Sequence, residues 1–248
     1  MTLPDKEHWL WPDWQPHPKV CVAVTTRYGA VSPSPWHGFN LGLNTGDRED
    51  RVLRARHHVE KILQPDHPIP WLTQVHGTRV IHAAEGNREA DGVWTDQTGW
   101  PCAVLTADCL PVLLARQDGS AVAAVHAGWR GLHDGIIAQA ANHLAPEGQA
   151  ISAWLGPAIS AQHYQVGVEM YRAFTALDPA YKDAFMKDAT PNHWRFSLVH
   201  AAIYQLNALG IDDVDGGTEC TASDPQHFYS YRKEKDTGRF ATIIWLDR

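Results

Sequence analysis

Three side chains of metal-ligand type stand in or beside apolar stretches of this chain: His76 in TQVHGTRV, Cys109 in TADCLPVLL and His126 in VHAGWRG. A thiolate and two imidazoles form a normal zinc ligand set, and a site with three protein ligands keeps its fourth position open, the catalytic arrangement. Such a site carries about one net positive charge, which favours anions and acidifies a bound water. Spacing alone leaves plainer readings open. A cysteine in an apolar run is often just a small buried hydrophobe. A Cys109–His126 pair is also the pattern of a metal-free thiol hydrolase. Asp108 reads either as an acceptor orienting the site or as a structural hydrogen-bond partner.

The elements that must bring these groups together are legible around Asp118-Gly119, the dipeptide of a two-residue hairpin turn. With that turn, Gln117 opposes Ser120 and His126 falls opposite Pro111. Cys109 then shares a face with His126, roughly 7–8 Å away along the diagonal. A slip of one residue would separate them. TADCLPVLL reads as one buried strand, in which Asp108 alternates to the face opposite Cys109 and Pro111 marks where regular pairing gives way. His76 closes the first of two strands within 69–83. After His126, HAGWRGLHDG reads as strand, turn and helix. Free N–H groups at that helix start, with Arg130, suit an anion, unless the glycines only shape the turn and Arg130 is a surface charge.

Elsewhere, 20–29 reads as a strand ending at a Gly turn and 31–47 as a loop. Residues 48–63 read as a helix with Val52, Ala55, Val59 and Ile62 on one face and Asp47 as N-cap. Arg56 on that helix reads as a solvated charge. A helix over 131–148, a strand over 151–157, helices around 167–177 and 197–209, and a closing hairpin over 227–246 complete the chain. With no repeat or linker, the expectation is one mixed α/β (α+β) domain over 1–248.

The chain is 44% hydrophobic, enough for a substantial core, and its net charge of -7 without a basic run argues against gripping nucleic acid through phosphates. No stretch is apolar enough to span a bilayer, and the acidic, proline-containing start is no secretory signal. The cysteines (Cys21, Cys102, Cys109, Cys220) contain no Cys-x-x-Cys pair, so reduced thiols and a cytoplasmic location are expected.

NLGLNTGD, TQVHGTRV, ADGVWT, LTADCLPVLL, VHAGWRGL, GPAISAQHYQVG and FYSYRKEKDTGRFATIIWL, in that order from Phe39 to the C-terminus, together resemble the YfiH/laccase-domain family. Its members are also called polyphenol oxidase family proteins and purine nucleoside phosphorylases. The resemblance implies that His76, Cys109 and His126 bind one zinc, with copper as the alternative metal. It implies a sandwich of mixed sheets with flanking helices, similar to the catalytic domain of cytotoxic necrotizing factor. It also implies phosphorolysis of adenosine, inosine and S-methyl-5'-thioadenosine, with adenosine deamination. The partners are then a nucleoside and phosphate, with neither nucleic acid nor membrane. Cys109, Arg56 and Asp108 are the candidate catalytic residues, and Arg56, Arg130 and Asn40 the candidate substrate-binding ones.

Some bacterial members are linked to peptidoglycan precursor editing, so a hydrolase acting on UDP-linked precursors through Cys109 or the metal is the alternative. A copper-dependent laccase, the family's first description, ranks below both. Multicopper oxidases need paired His-x-His motifs and this chain has none, His57-His58 being its only adjacent pair. Two departures from the family pattern stand out. Ala55-Arg56 replaces the common Asn-Arg, and QHYQVG replaces CCYEVG, so His163 and Gln165 stand where a Cys and a Glu are usual.

Overall fold

Cys102–Thr106, Val122–Ala127 and Ile151–Leu155 are buried at every position rather than at every second one. Burial on both faces means that each strand is covered from two sides. The structure, a computed structural model, describes residues 3–248, so the first two residues of the expected 1–248 domain lie outside the described residues. In chain order the elements are β1 (Val20–Val24), α1 (Glu49–Leu63), β2 (Val80–His82), β3 (Gly92–Thr95), β4 (Cys102–Thr106), β5 (Leu110–Arg116), β6 (Val122–Ala127), α2 (Trp129–His133) and α3 (Ile136–Leu144). There follow β7 (Ile151–Leu155), β8 (Gln165–Gly167), α4 (Val168–Leu177), β9 (Phe185–Lys187), β10 (His193–Phe196), α5 (Leu198–Ala208), β11 (Val214–Gly216), α6 (Tyr231–Glu234) and β12 (Phe240–Leu246).

A six-stranded mixed sheet runs β11-β7-β5-β6-β3-β2, and a three-stranded antiparallel sheet runs β1-β12-β4. The two pack face to face through Val22, Val104 and Ile244 on one side and Val93, Leu113 and Ala124 on the other. Ala55 and Val59 of α1 cover the outer face of the small sheet against Ala23, Ala103 and Ile243. Ile136 and Ala140 of α3 and Ala202 and Leu206 of α5 share the core beyond the large sheet with Val112, Val125 and Leu155. The result is the expected mixed α/β sandwich, layered helix, sheet, sheet, helix. Each fully buried Leu or Val contributes roughly 1.5–3 kcal/mol. A third small sheet, β8-β10-β9, adds Val166, Phe185 and Phe196 to the core beyond the large sheet.

The hairpin forms in the expected register: β5 pairs β6 with Pro111 opposite His126, and Gly119 takes φ +68 in the turn. Other expectations change. TADCLPVLL is not one strand, because Thr106 ends β4 in the small sheet and Leu110 begins β5 in the large one. Asp108 makes the corner with φ +89. Over 69–76 there is no strand, only a bridge from Thr73 to Glu89, since Pro68 and Pro70 remove the donors a ladder needs. The helix over 131–148 breaks into α2 and α3 at Gly135, φ +85. Asp47 sits one residue before the N-cap Arg48 and accepts its N–H at 2.8 Å. Residues 227–246 are no hairpin: α6 precedes β12, which lies between β1 and β4.

Candidate metal centre and its cavity

The turn of the chain at Asp108 sets Cys109 at the mouth of β5, beside the end of β6 that carries His126. Cys109 Sγ lies 3.8 Å from His76 Nε2. The ligand atoms of His76, Cys109 and His126 all fall within 4.8 Å of one another, the one such group of three among the described residues. His76 does not end a strand. It sits in a turn at φ +61, and that turn is built on Asp91.

Asp91 is fully buried at the start of β3, and the sequence reading missed it. Its carboxylate accepts the backbone N–H groups of Val75 (3.1 Å), His76 (3.0 Å) and Gly77 (2.7 Å) and meets His126 Nδ1 at 2.8 Å. One acid therefore fixes the backbone of one imidazole ligand and the ring of the other. With Nδ1 engaged, His126 keeps Nε2 for the ligand cluster. The available signal was the acid followed by glycine in ADGVWT: a carboxylate in a buried run needs several donors.

Burial alone would push the Cys109 thiol up, but the imidazoles of His126 and His76 outweigh it and draw the thiol down to about 6. Burial would lower His126, yet Cys109 and Asp91 raise it to about 9. Between those values the metal-free pair is thiolate and imidazolium, so a metal must displace the His126 proton. Zinc affinity is therefore expected to rise about tenfold per pH unit from pH 7 to 8, and more steeply below pH 6, where the thiolate also takes a proton. Competition against a chromophoric chelator at several pH values checks this, and a flat profile would refute it.

The donor set fits zinc. Tetrahedral bonds of about 2.3 Å to sulfur and about 2.1 Å to nitrogen place the two donors about 3.6 Å apart, close to the 3.8 Å between Cys109 Sγ and His76 Nε2. The Asp91–His126 hydrogen bond would orient the His126 ring toward an ion held there, the role carboxylates play beside metal-binding imidazoles. Glycine at 128 keeps the flank open, since a Cβ there would sit 3.0 Å from Cys109 Sγ and 3.2 Å from His76 Cδ2.

The cluster opens into a cavity of about 710 Å³, lined by aromatic Trp71, Trp129, Tyr164 and Tyr231 and by cationic Arg56, Arg232, Lys235 and Arg239. Arg56 is not a solvated charge. It is buried on α1, donates from Nε to Leu41 O at 2.9 Å, lies over the Trp71 ring at 4.8 Å, and burial lowers it to about 10. Asp108 also lines the cavity, with its carboxylate engaged by Thr221 and by the backbone of Arg232.

Arg130 and Asn40 lie outside the cavity lining. Arg130 is exposed over the Trp129 ring, at 4.5 Å. Asn40 is fully buried and acts through its neighbours: Oδ1 accepts the N–H groups of Gly42 and Arg239, each at 2.9 Å, so it shapes two segments that do line the cavity. The Gln165 side chain donates to Asp188 at 3.0 Å. A glutamate there would oppose that carboxylate.

Residues 21–247 match the family described as multi-copper polyphenol oxidoreductase laccase. The chain is 41% identical over 240 residues to a Haemophilus influenzae protein named purine nucleoside phosphorylase, covering 95% of this chain and 98% of that one. It is 38% identical over 240 residues to the Escherichia coli purine nucleoside phosphorylase YfiH, covering 95% and 97%. A Neisseria meningitidis crystal structure superposes with a TM-score of 0.91 at 39% identity, covering 97% of this chain and 100% of that one. YfiH of Bacillus licheniformis gives 0.89 at 28% identity, with 97% of each chain covered.

Proposed function

The chain belongs to this laccase-domain, YfiH-containing family, and from that membership we propose that it is a zinc-dependent purine nucleoside phosphorylase that also deaminates adenosine. One observation carries the reading: the His76–Cys109–His126 cluster opens into a cavity walled by aromatic rings and four cationic side chains. Phosphorolysis needs those features together. An oxygen of phosphate forms a bond to C1' of the ribose as the bond from C1' to the purine nitrogen breaks, leaving ribose 1-phosphate and the free base. Arg56, Arg232 and Arg239 supply forked donors for the phosphate. Trp71, Trp129 and Tyr164 offer ring faces to a purine. Zinc, when bound, supplies a Lewis-acidic positive centre, the requirement shared by holding phosphate and activating water for deamination.

The substrates are adenosine, inosine and S-methyl-5'-thioadenosine. Zinc-loaded protein given these with phosphate is expected to release the free base and the sugar 1-phosphate in a phosphate-dependent manner, and to form inosine from adenosine. No turnover at micromolar enzyme would reject the proposal. The thiolate character of Cys109 favours one second reading, hydrolysis of a UDP-linked peptidoglycan precursor with Cys109 as nucleophile or the metal assisting. Release of an amino acid from such a precursor without phosphate would select it. Copper-dependent oxidation ranks below both, because the described residues bring together one three-ligand group rather than a multicopper cluster.

A further inference from the structure

We infer that Asp108 is a positioning residue, whose carboxylate ties the corner carrying Cys109 to the α6 segment carrying Arg232 and so fixes a guanidinium in the anion-binding wall of the cavity. This deepens the phosphorylase reading and rests on it. Asp108 is buried at the seam where the chain passes from the small sheet to the large one. Its Oδ1 accepts from Thr221 Oγ1 at 2.6 Å, its Oδ2 from Arg232 N at 2.6 Å, and its main-chain oxygen from Ile159 N at 2.9 Å. Three separate segments thus converge on one residue, two of which, through Ile159 and Arg232, line the cavity. Its φ of +89 is a conformation that a non-glycine side chain holds only when its surroundings enforce it.

The α6 end of the tie explains why it is needed. Ser230, the N-cap of α6, makes no side-chain capping bond, so Asp108 supplies from across the fold an acceptor that the first turn lacks. Arg232 is then held at two further points. Its NH1 donates to Gln165 O at 3.0 Å, and its guanidinium lies over the Tyr164 ring at 5.0 Å. A guanidinium already fixed in place loses little rotamer freedom on meeting an anion, and its remaining donors stay available. Both carboxylate oxygens of Asp108 are engaged in holding this arrangement, which makes it a tether between the two segments.

Asparagine and alanine at this position separate tether from chemistry. An asparagine carbonyl accepts from Arg232 N while its amide donates to the Thr221 hydroxyl, which rotates to accept. Alanine keeps neither bond. Phosphate binding to zinc-loaded protein, measured calorimetrically with inorganic phosphate, is expected to stay within about threefold of wild type for Asp108→Asn and to weaken at least tenfold for Asp108→Ala. The KM for phosphate follows the same order, with kcat changing less than KM. Thr221→Val, which removes one bond and leaves the carboxylate, is expected to weaken phosphate binding by a smaller factor. If Asp108→Ala does not fold, the Asn and Val variants decide.

Loss of turnover in Asp108→Asn with normal phosphate binding would overturn the inference, because the charge rather than the tether would then matter. Unchanged phosphate binding in Asp108→Ala, or in Thr221→Val where the alanine variant is not folded, would overturn it too. The calorimetric measurements need no nucleoside. A wild-type protein that binds phosphate without turning over nucleosides would therefore sink the phosphorylase reading and still test the tether.

Discussion

Cys109→Ala is expected to lose zinc and turnover together. The thiolate supplies the one anionic donor of the cluster, and both imidazoles face it. Apparent zinc binding energies of about 10–16 kcal/mol are spread over a full ligand set. Removing one of three protein ligands therefore forfeits roughly 4 kcal/mol, about a thousandfold in affinity. Phosphorolysis falls in step with bound zinc once free zinc is buffered well below the variant's dissociation constant. Metal content after dialysis against a weak chelator, with nucleoside turnover on the same sample, makes the measurement. Cys109→Ser repeats the test with a side chain of nearly the same shape: a serine hydroxyl stays protonated near neutral pH and is a poor zinc ligand, so the serine variant should behave as the alanine one. A Cys109→Ala protein with one zinc per chain and full activity would remove Cys109 from the site.

The second large effect is expected at Asp91, which touches no substrate. Burial would raise its carboxyl, but the bond from His126 and the N–H groups of Gly77 and Val75 hold it below its ordinary value. Asp91→Ala leaves three backbone donors and one imidazole without their shared acceptor. Unsatisfied buried groups cost about 1–3 kcal/mol each, and water reaches the partly exposed turn at 75–77, so the net loss of stability is about 3–5 kcal/mol. Zinc affinity falls by about 10- to 100-fold, the usual consequence of freeing a metal-binding imidazole from its orienting carboxylate. Urea denaturation of the metal-free variant reads the first effect and chelator competition the second. Asp91→Asn keeps one acceptor, so it should fall between wild type and alanine in both. Wild-type values in both would show that the turn and the ring hold themselves.

The hairpin between β5 and β6 was legible because its determinants are local. Asp118-Gly119 sets the turn, and the pairing of Pro111 with His126 follows by counting. This placed Cys109 at the correct edge although it lies outside the strand. What stayed hidden depends on contacts far apart in sequence. Trp71 covers Arg56 from a separate segment, so a helix pattern alone made that arginine a solvated charge. Asp91 looks like an ordinary turn acid until the 75–77 turn and His126 converge on it. The apolar run through Asp108 hid a change of sheet, because both sheets bury both of their faces and leave no alternation to break. A hairpin was the natural reading for residues 227–246, but β12 finds its partners in β1 and β4 instead.

That change of sheet has a mechanical consequence. The three residues 107–109 are the joint between two slabs whose interior is packed solid by Leu113, Val104 and their neighbours. Neither slab can slide over the other without carrying the thiol with it, and interiors packed at crystal-like density do not yield by small amounts. The cavity wall inherits that rigidity on the Cys109 side, whereas the Tyr231–Lys235 side is held by discrete polar ties: Arg232 N to Asp108, Arg232 NH1 to Gln165 O and the Arg27–Glu234 ion pair at 2.8 Å. One flank of the cavity is thus held by close packing and the other by individual polar contacts, so single substitutions reach the second flank and not the first.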